Sequence, residues 1–270
     1  MLTRNQHKAF IPIFLVLLAL IMNLGISCSP SPSTLSVFAA AGAKPVLDEI
    51  CQEFGEQCKT KVEISYGGGG EVLNQMVLSR SGDVYVAPEQ RFMESAGEKQ
   101  AIDPETIKSV AYMIPVIAVP KGNPKNVQTL ADLARPGVRV AITRPETTLL
   151  GKYAPEIFQK AGLTEAIGKN IVTQAARPDN LLTMLVMGQV DAGIIWHFYQ
   201  VQAPDKIENI YLLPEQLTGI GEMQAAVSAY CHDRRSAQRF IDFITSADGQ
   251  AVFKKLGYLV NAEEMSKYWH

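Results

Sequence analysis

Lys61-Val62-Glu63-Ile64-Ser65-Tyr66 alternates polar and apolar side chains. Gly67-Gly68-Gly69-Gly70 follows with no side chain at all. Glu71 to Ser79 then places its apolar residues at helical spacing, and Asp83-Val84-Tyr85-Val86-Ala87 is a short apolar run behind a turn. Period two, then a glycine turn, then period 3.6, then a buried run is the pattern of a strand–helix–strand unit. The same order stands just upstream. Leu35-Ser36-Val37-Phe38-Ala39-Ala40 reads as a buried strand, Ala41-Gly42-Ala43 as its turn, and Lys44 to Phe54 as a helix with Val46, Leu47, Ile50, Cys51 and Phe54 on one face. Pro45 fits the first turn of that helix, and Gly55 is expected to end it. Strands that alternate with helices predict an α/β fold whose parallel sheet carries helices on both faces.

A second α/β unit is expected downstream. Val138 to Ile142, Ile171 to Gln174 and Ala192 to Trp196 read as strands, and Leu149 to Ala161 and Asp179 to Met187 as helices. Extended runs at Pro115–Pro120 and Gln224–Tyr230 flank this unit, and Ser236 to Leu256 supplies C-terminal helix with a break near Asp248-Gly249. Two such passes predict two lobes joined by a two-strand hinge. Lobe one would hold residues 35–115 and 224–270, and lobe two residues 116–223.

The first residues look like something else. Arg4 and Lys8 precede an apolar run from Ala9 to Met22, then the small residues Gly25-Ile26-Ser27, then Cys28. That is the layout of an export signal over residues 1–27, and the run is short of the roughly 20 residues of a membrane span. Cys28 directly after the small residues is expected to carry a lipid, with residues 28–34, including Ser29-Pro30-Ser31-Pro32-Ser33, as a tether. Localisation is therefore expected to be extracytoplasmic, on a membrane but not across it.

Composition excludes several classes. In 270 residues, 47% are hydrophobic, so a core is affordable, and Lys+Arg 25 against Asp+Glu 27 gives a formal charge of −2. Loss of Arg4 and Lys8 with the signal would make the chain more acidic still, which argues against a nucleic-acid partner. Any anion site must then be built locally. Export implies an oxidising compartment. A helix that stopped near Gly55 would let the chain fold back, so a Cys51–Cys58 disulfide is expected. The histidines and cysteines lack ligand spacing, and no cofactor or resident metal is expected.

Two strand-to-helix turns nearly bare of side chains, 39–43 and 67–70, are the candidate chemistry. Backbone N–H groups at a helix start are unpaired and partly positive, and glycine lets an anion reach them. Asp191 and His197 are the nearest approach to catalytic groups. The plainer expectation is a strand-opening carboxylate for Asp191 and a half-exposed rim imidazole for His197.

The chain resembles the molybdate/tungstate-binding proteins of bacterial ABC importers, a branch of the type II periplasmic binding fold. The resemblance is carried by Val37-Phe38-Ala39-Ala40-Ala41, Gly82 to Ala87, Val119 to Pro124, Leu130 to Ile142, Pro145-Glu146-Thr147 with Gly151-Lys152-Tyr153-Ala154, and Gly188 to Ile195. It implies an oxyanion held between two lobes by neutral hydrogen bonds. Its donors are a serine after the first strand, a serine-rich turn after the second, lobe-two backbone N–H groups and a tyrosine. Here those positions hold Gly42 (beside Ala43), Gly68, Gly69 and Gly70, backbone near Leu150 and Pro178, and Trp196. The side-chain donors are thus absent, and proline has no N–H to give. Arg144, Thr147, Thr148 and Arg177 are the replacements expected at the cleft, with Tyr66 or Tyr153 in reserve.

The function expected is an anion-binding lipoprotein, a monomer that serves the membrane subunits of an ABC importer, with molybdate or tungstate as its leading ligand. Alternatives are another small anionic solute, or a sensory or structural lipoprotein without a ligand. An exported enzyme would need Asp191 and His197 to converge in the cleft.

Overall fold

The computed structural model describes residues 34–269. The expected signal, the tether through residue 33 and the expected lipid site at Cys28 lie outside them.

Among the described residues the strands form two five-stranded sheets. Sheet one holds β1 (Thr34–Ala40), β2 (Lys61–Gly67), β3 (Val84–Ala87), β4 (Lys108–Met113) and β10 (Gly221–Val227), in the order β2-β1-β3-β10-β4. Sheet two holds β5 (Pro115–Pro120), β6 (Val140–Thr143), β7 (Ile171–Ala175), β8 (Ala192–Trp196) and β9 (Ile207–Tyr211), in the order β7-β6-β8-β5-β9. In each sheet the strand that has just arrived from the other lobe runs against its neighbours. β10 is antiparallel to β3 and β4, and β5 is antiparallel to β8 and β9. The remaining pairs are parallel. This is the two-lobe type II architecture anticipated from the sequence.

Helices cover the sheets as their apolar spacing requires. α1 (Lys44–Cys58) buries Val46, Leu47, Ile50 and Phe54 against the face of sheet one that carries Leu35, Val37 and Ala39. α2 (Gly69–Ser79) and α3 (Gln90–Glu98) bury Val72, Leu73, Met76 and Met93 against the opposite face, with Phe38 and Tyr85. Alternate residues of β1 thus face two cores, as a strand covered on both sides must. In lobe two, α4 (Leu149–Lys160), α5 (Thr164–Gly168) and α6 (Pro178–Val186) follow β6 and β7, and the short α7 (Tyr199–Gln202) follows β8. α8 (Arg234–Ile244), α9 (Ala247–Lys255) and the short α10 (Ala262–Met265) end the described chain.

Several expectations need correction. α1 does not stop at Gly55 but runs on to Cys58, and Lys59 ends it in the left-handed region at φ 53°. Gly55 serves the returning chain instead, because a Cβ there would lie 3.2 Å from the Thr60 carbonyl oxygen. The continuous helix removes the Cys51–Cys58 disulfide. Seven residues of helix rise about 10 Å, beyond the roughly 7 Å Cα separation that a disulfide can span, and both thiols are free, as is that of Cys231. The C-terminal helix breaks at Thr245-Ser246, where the Ser246 hydroxyl accepts from Gly249 N–H, rather than at Asp248-Gly249. β4, β9, α3 and the short helices α5, α7 and α10 were not anticipated.

The chain passes between sheets through one residue, Ile114, and returns through residues 212–220. The two passes lie side by side, since Gly221 pairs with Met113. His197 stitches the outward pass to lobe two. Its N–H donates to the Ile114 carbonyl at 3.0 Å, and its Nδ1 accepts from Ile114 N–H at 3.2 Å. On the return pass the Tyr153 hydroxyl donates to the Ile220 carbonyl at 3.1 Å.

Candidate functional site

Parallel strands that feed helices put their C-terminal turns at one edge of a sheet, and ligands of open α/β sheets lie there. Both sheets turn that edge toward a shared cleft of about 490 Å³. Lobe one contributes the turns after β1, β2 and β3. Lobe two contributes the turns after β6, β7 and β8.

The turn after β1 is a single 3-10 turn, Ala41–Ala43, that leads into α1, and no side chain caps either. Gly42 has open space beside it, with the Tyr199 hydroxyl oxygen 3.9 Å from where a Cβ would stand. The tetraglycine turn is less bare than its sequence suggests. The Glu71 carboxylate accepts from Gly68 N–H at 3.0 Å, so α2 begins with one donor already answered. The first-turn N–H groups of Gly69 and Gly70 have no carbonyl to reach inside the helix. Gly69 is glycine because the Phe92 ring packs on it, 2.7 Å from a would-be Cβ. None of the four glycines has a positive φ. The buried Tyr85 hydroxyl donates to the Gly69 carbonyl at 3.2 Å and fixes the turn from below.

Lobe two is built in the opposite sense. Thr148 caps α4, its hydroxyl accepting from Gly151 N–H at 2.9 Å and lying 2.7 Å from the buried Thr143 hydroxyl. The next donor, Leu149 N–H, points to the Glu89 carboxylate of lobe one at 3.1 and 3.3 Å. Arg91 Nε donates to the same carboxylate at 3.1 Å, and its Nη2 donates to the Thr147 carbonyl at 2.6 Å. Glu89 and Arg91 therefore tie the turn after β3 to the turn after β6, across the cleft. Burial pushes the Glu89 carboxyl above its ordinary value, against the pull of Arg91 and of Leu149 N–H. At α6 the first residue is Pro178, and Arg177 is held in a two-pronged pair by Asp179 at 3.0 and 2.9 Å.

Most of the residues expected from the sequence meet here. Gly42, Ala43, Gly68, Gly69, Gly70, Thr147, Thr148, Arg177 and Trp196 line the cleft. Arg144 and Leu150 do not. Arg144 is exposed, its carbonyl receiving Thr147 and Thr148 N–H, and Leu150 is fully buried in the core. Tyr66 and Tyr153 are also off the lining, donating instead to Asp48 and Ile220. Reading the sequence missed Glu89, Arg91 and Phe92, together with Glu146, Asp179 and Tyr199. One signal was available: Pro88-Glu89-Gln90-Arg91 is the third strand-to-helix turn of lobe one, in register with the two that were noticed.

The two catalytic candidates do not meet in the cleft, and neither lines it. Burial pushes the Asp191 carboxyl up, but Arg139 outweighs it with side-chain and backbone bonds of 2.8 to 3.1 Å and holds it below its ordinary value. His197 is buried, not half-exposed on a rim, and burial drives it down to about 4. It is a neutral strut of the hinge.

Comparison with known proteins places this geometry. Residues 35–259 match the family model described as bacterial extracellular solute-binding protein. A putative binding protein of Haemophilus influenzae is 26% identical over 86% of this chain and 93% of its own length. The molybdate-binding protein ModA of Mycobacterium tuberculosis is 24% identical, over 83% and 84%. Among solved structures, the substrate-binding domain of a putative molybdenum ABC transporter from Clostridium difficile superposes with a TM-score of 0.73 at 22% identity, covering 85% of this chain and 99% of that one. PEB3 of Campylobacter jejuni, solved with L-phospholactate bound, gives 0.73 at 18%, covering 84% and 100%. The two curated relatives are binding proteins by name, and the chain belongs to the family of bacterial extracellular solute-binding proteins, with the molybdate-binding proteins among its relatives.

Proposed function

We propose that this chain is the solute-binding component of an ABC importer and captures a small anion between its lobes. The observation that carries the reading is the pair of turns after β1 and β2. Both end in helix starts with unanswered N–H groups, both are nearly free of side chains, and both open on one cleft. Backbone donors at Gly42, Ala43, Gly69 and Gly70 would hold the anion, and Trp196 and Tyr199 would wall it. Lobes whose chain crosses only at Ile114 and residues 212–220 can close by bending there. Cys28, if lipidated, would keep the protein beside the importer's membrane subunits.

Molybdate is the ligand that the relatives' names favour. The lining favours something larger, since 490 Å³ is the scale of a small organic ligand. A thermal-unfolding screen over oxyanions and organic anions tests the role. A ligand at 100 times its Kd stabilises by about 2.7 kcal/mol, and small-angle scattering should then show a smaller radius of gyration. Failure of every anion both to stabilise the protein and to shrink it would sink the reading.

A further inference from the structure

Glu89 is the anomaly of the cleft. It is 6% exposed. It stems from lobe one, yet it sits on the first free N–H of a twelve-residue lobe-two helix. The helix start where an anion would find a donor from lobe two already has an anion, and the protein supplies it. Arg91 does not neutralise the cleft as a whole. Glu71, Glu89, Glu146 and Asp179 line it against Arg91 and Arg177, and the Arg177 charge is already paired with Asp179. A bare dianion drawn toward lobe two would meet like charge at the position it needs. A carboxylate has about four acceptor positions. Leu149 N–H and Arg91 Nε account for two, so Glu89 can still accept from a ligand.

We propose that Glu89 sets the ligand class. It occupies the oxyanion position at the start of α4, and the cleft thereby prefers an organic phosphate that carries a hydroxyl or amine. The phosphate lies on the glycine turns of lobe one, and the hydroxyl or amine donates to Glu89. This rests on the anion-binding reading above and narrows it. Phe92, Trp196, Phe198 and Tyr199 line the same cleft and suit the carbon body of such a ligand.

The experiment is calorimetric titration of the wild-type chain, Glu89→Gln and Glu89→Ala with four probes: molybdate, inorganic phosphate, phospholactate and glycerol 3-phosphate. Phospholactate is the organic phosphate without a hydroxyl or amine. Wild type should bind glycerol 3-phosphate at least tenfold more tightly than molybdate or inorganic phosphate, with phospholactate between. Both variants should lose that preference by at least tenfold, chiefly by gaining molybdate. Glu89→Gln keeps the side chain's volume, and a cooperative melt of each variant separates lost binding from lost fold. Two results overturn the proposal: a wild type that prefers molybdate, or a preference unchanged in both variants. If the wild type takes none of the four but the variants gain molybdate, the blocking role stands and the organic-phosphate assignment falls. If the variants gain nothing either, the whole proposal falls, and the anion-binding reading stands or falls by the wider unfolding screen.

Discussion

The two sides of the cleft are made from the same part, a strand that runs into a helix start, and they treat it in opposite ways. Lobe one strips the turn of side chains and leaves N–H groups open at Gly42, Ala43, Gly69 and Gly70. In lobe two the start of α4 is closed, through Thr148 on Gly151 and the lobe-one carboxylate Glu89 on Leu149, while α6 opens on Pro178 with no side-chain cap. An orphan donor must be answered by something. A site for a solute is where the protein has left the answer out, and the turns after β1 and β2 leave out more of it than the start of α4 does.

The difference can be broken most violently at Gly151. A Cβ there would stand 2.3 Å from the Arg144 carbonyl oxygen and 2.6 Å from that of Thr143, both backbone, so nothing can swing aside. Gly151→Ala should cost about 3 kcal/mol in urea unfolding. Its lobe-one counterpart Gly70→Ala, which meets only a Phe92 ring atom at 3.5 Å, should stay within about 0.5 kcal/mol. Equal losses would mean that the two helix starts are packed alike.

Thr148→Ala tests the same closure more gently. It removes the cap of α4 and leaves the Thr143 hydroxyl, which is fully buried, without its partner. Together these should cost about 2 kcal/mol, and Thr148→Ser should recover most of it. A Thr148→Ala protein as stable as wild type would show that the closure of lobe two does not rest on this hydroxyl.

The smallest effect belongs to Glu89 and is read in pH. Its folded pKa is raised above an ordinary value near 4.5, by burial that the Arg91 and Leu149 bonds only partly offset. The folded protein therefore holds this proton to higher pH than the unfolded chain does. Its contribution to stability is present below that value and declines as pH rises through the raised one. Carboxylates held below their ordinary value, Asp191 among them, contribute in the opposite sense at lower pH. The informative quantity is thus a difference. Wild type should lose stability relative to Glu89→Gln as pH is raised from 4.5 toward neutrality. A flat difference would mean that the carboxylate is as well solvated as in the unfolded chain.

Much of this was legible because it is local. The period-two run Lys61–Tyr66, the tetraglycine turn and the apolar face of Val46, Leu47, Ile50 and Phe54 each declare themselves within a dozen residues, and two copies of the unit give the two lobes. What was misread is what depends on distant partners. Gly55 looks like a helix stop, and only the return of Thr60 shows that it is a close approach inside a helix. β4 and β9 are edge strands with exposed residues, so their alternation is weak. Glu89 is the extreme case. Nothing within 88–92 says that its carboxylate belongs to a helix that starts sixty residues later. Gly69 taught the same lesson from the other side, since its missing side chain makes room for Phe92.

The strand order of sheet one has a consequence for the birth of the protein. β10 lies between β3 and β4, so both have an open edge until residue 227 has been made, while sheet two is assembled from one unbroken stretch, 115–211. Open edges invite pairing with other chains, and contacts between distant residues form late. In refolding, pulse-labelled hydrogen exchange should protect β6 and β8 before β3 and β4, and simultaneous protection would argue against this order. A chain that leaves the ribosome amino end first therefore carries two unfinished sheet margins through most of its synthesis, and its last third is the piece that seals them.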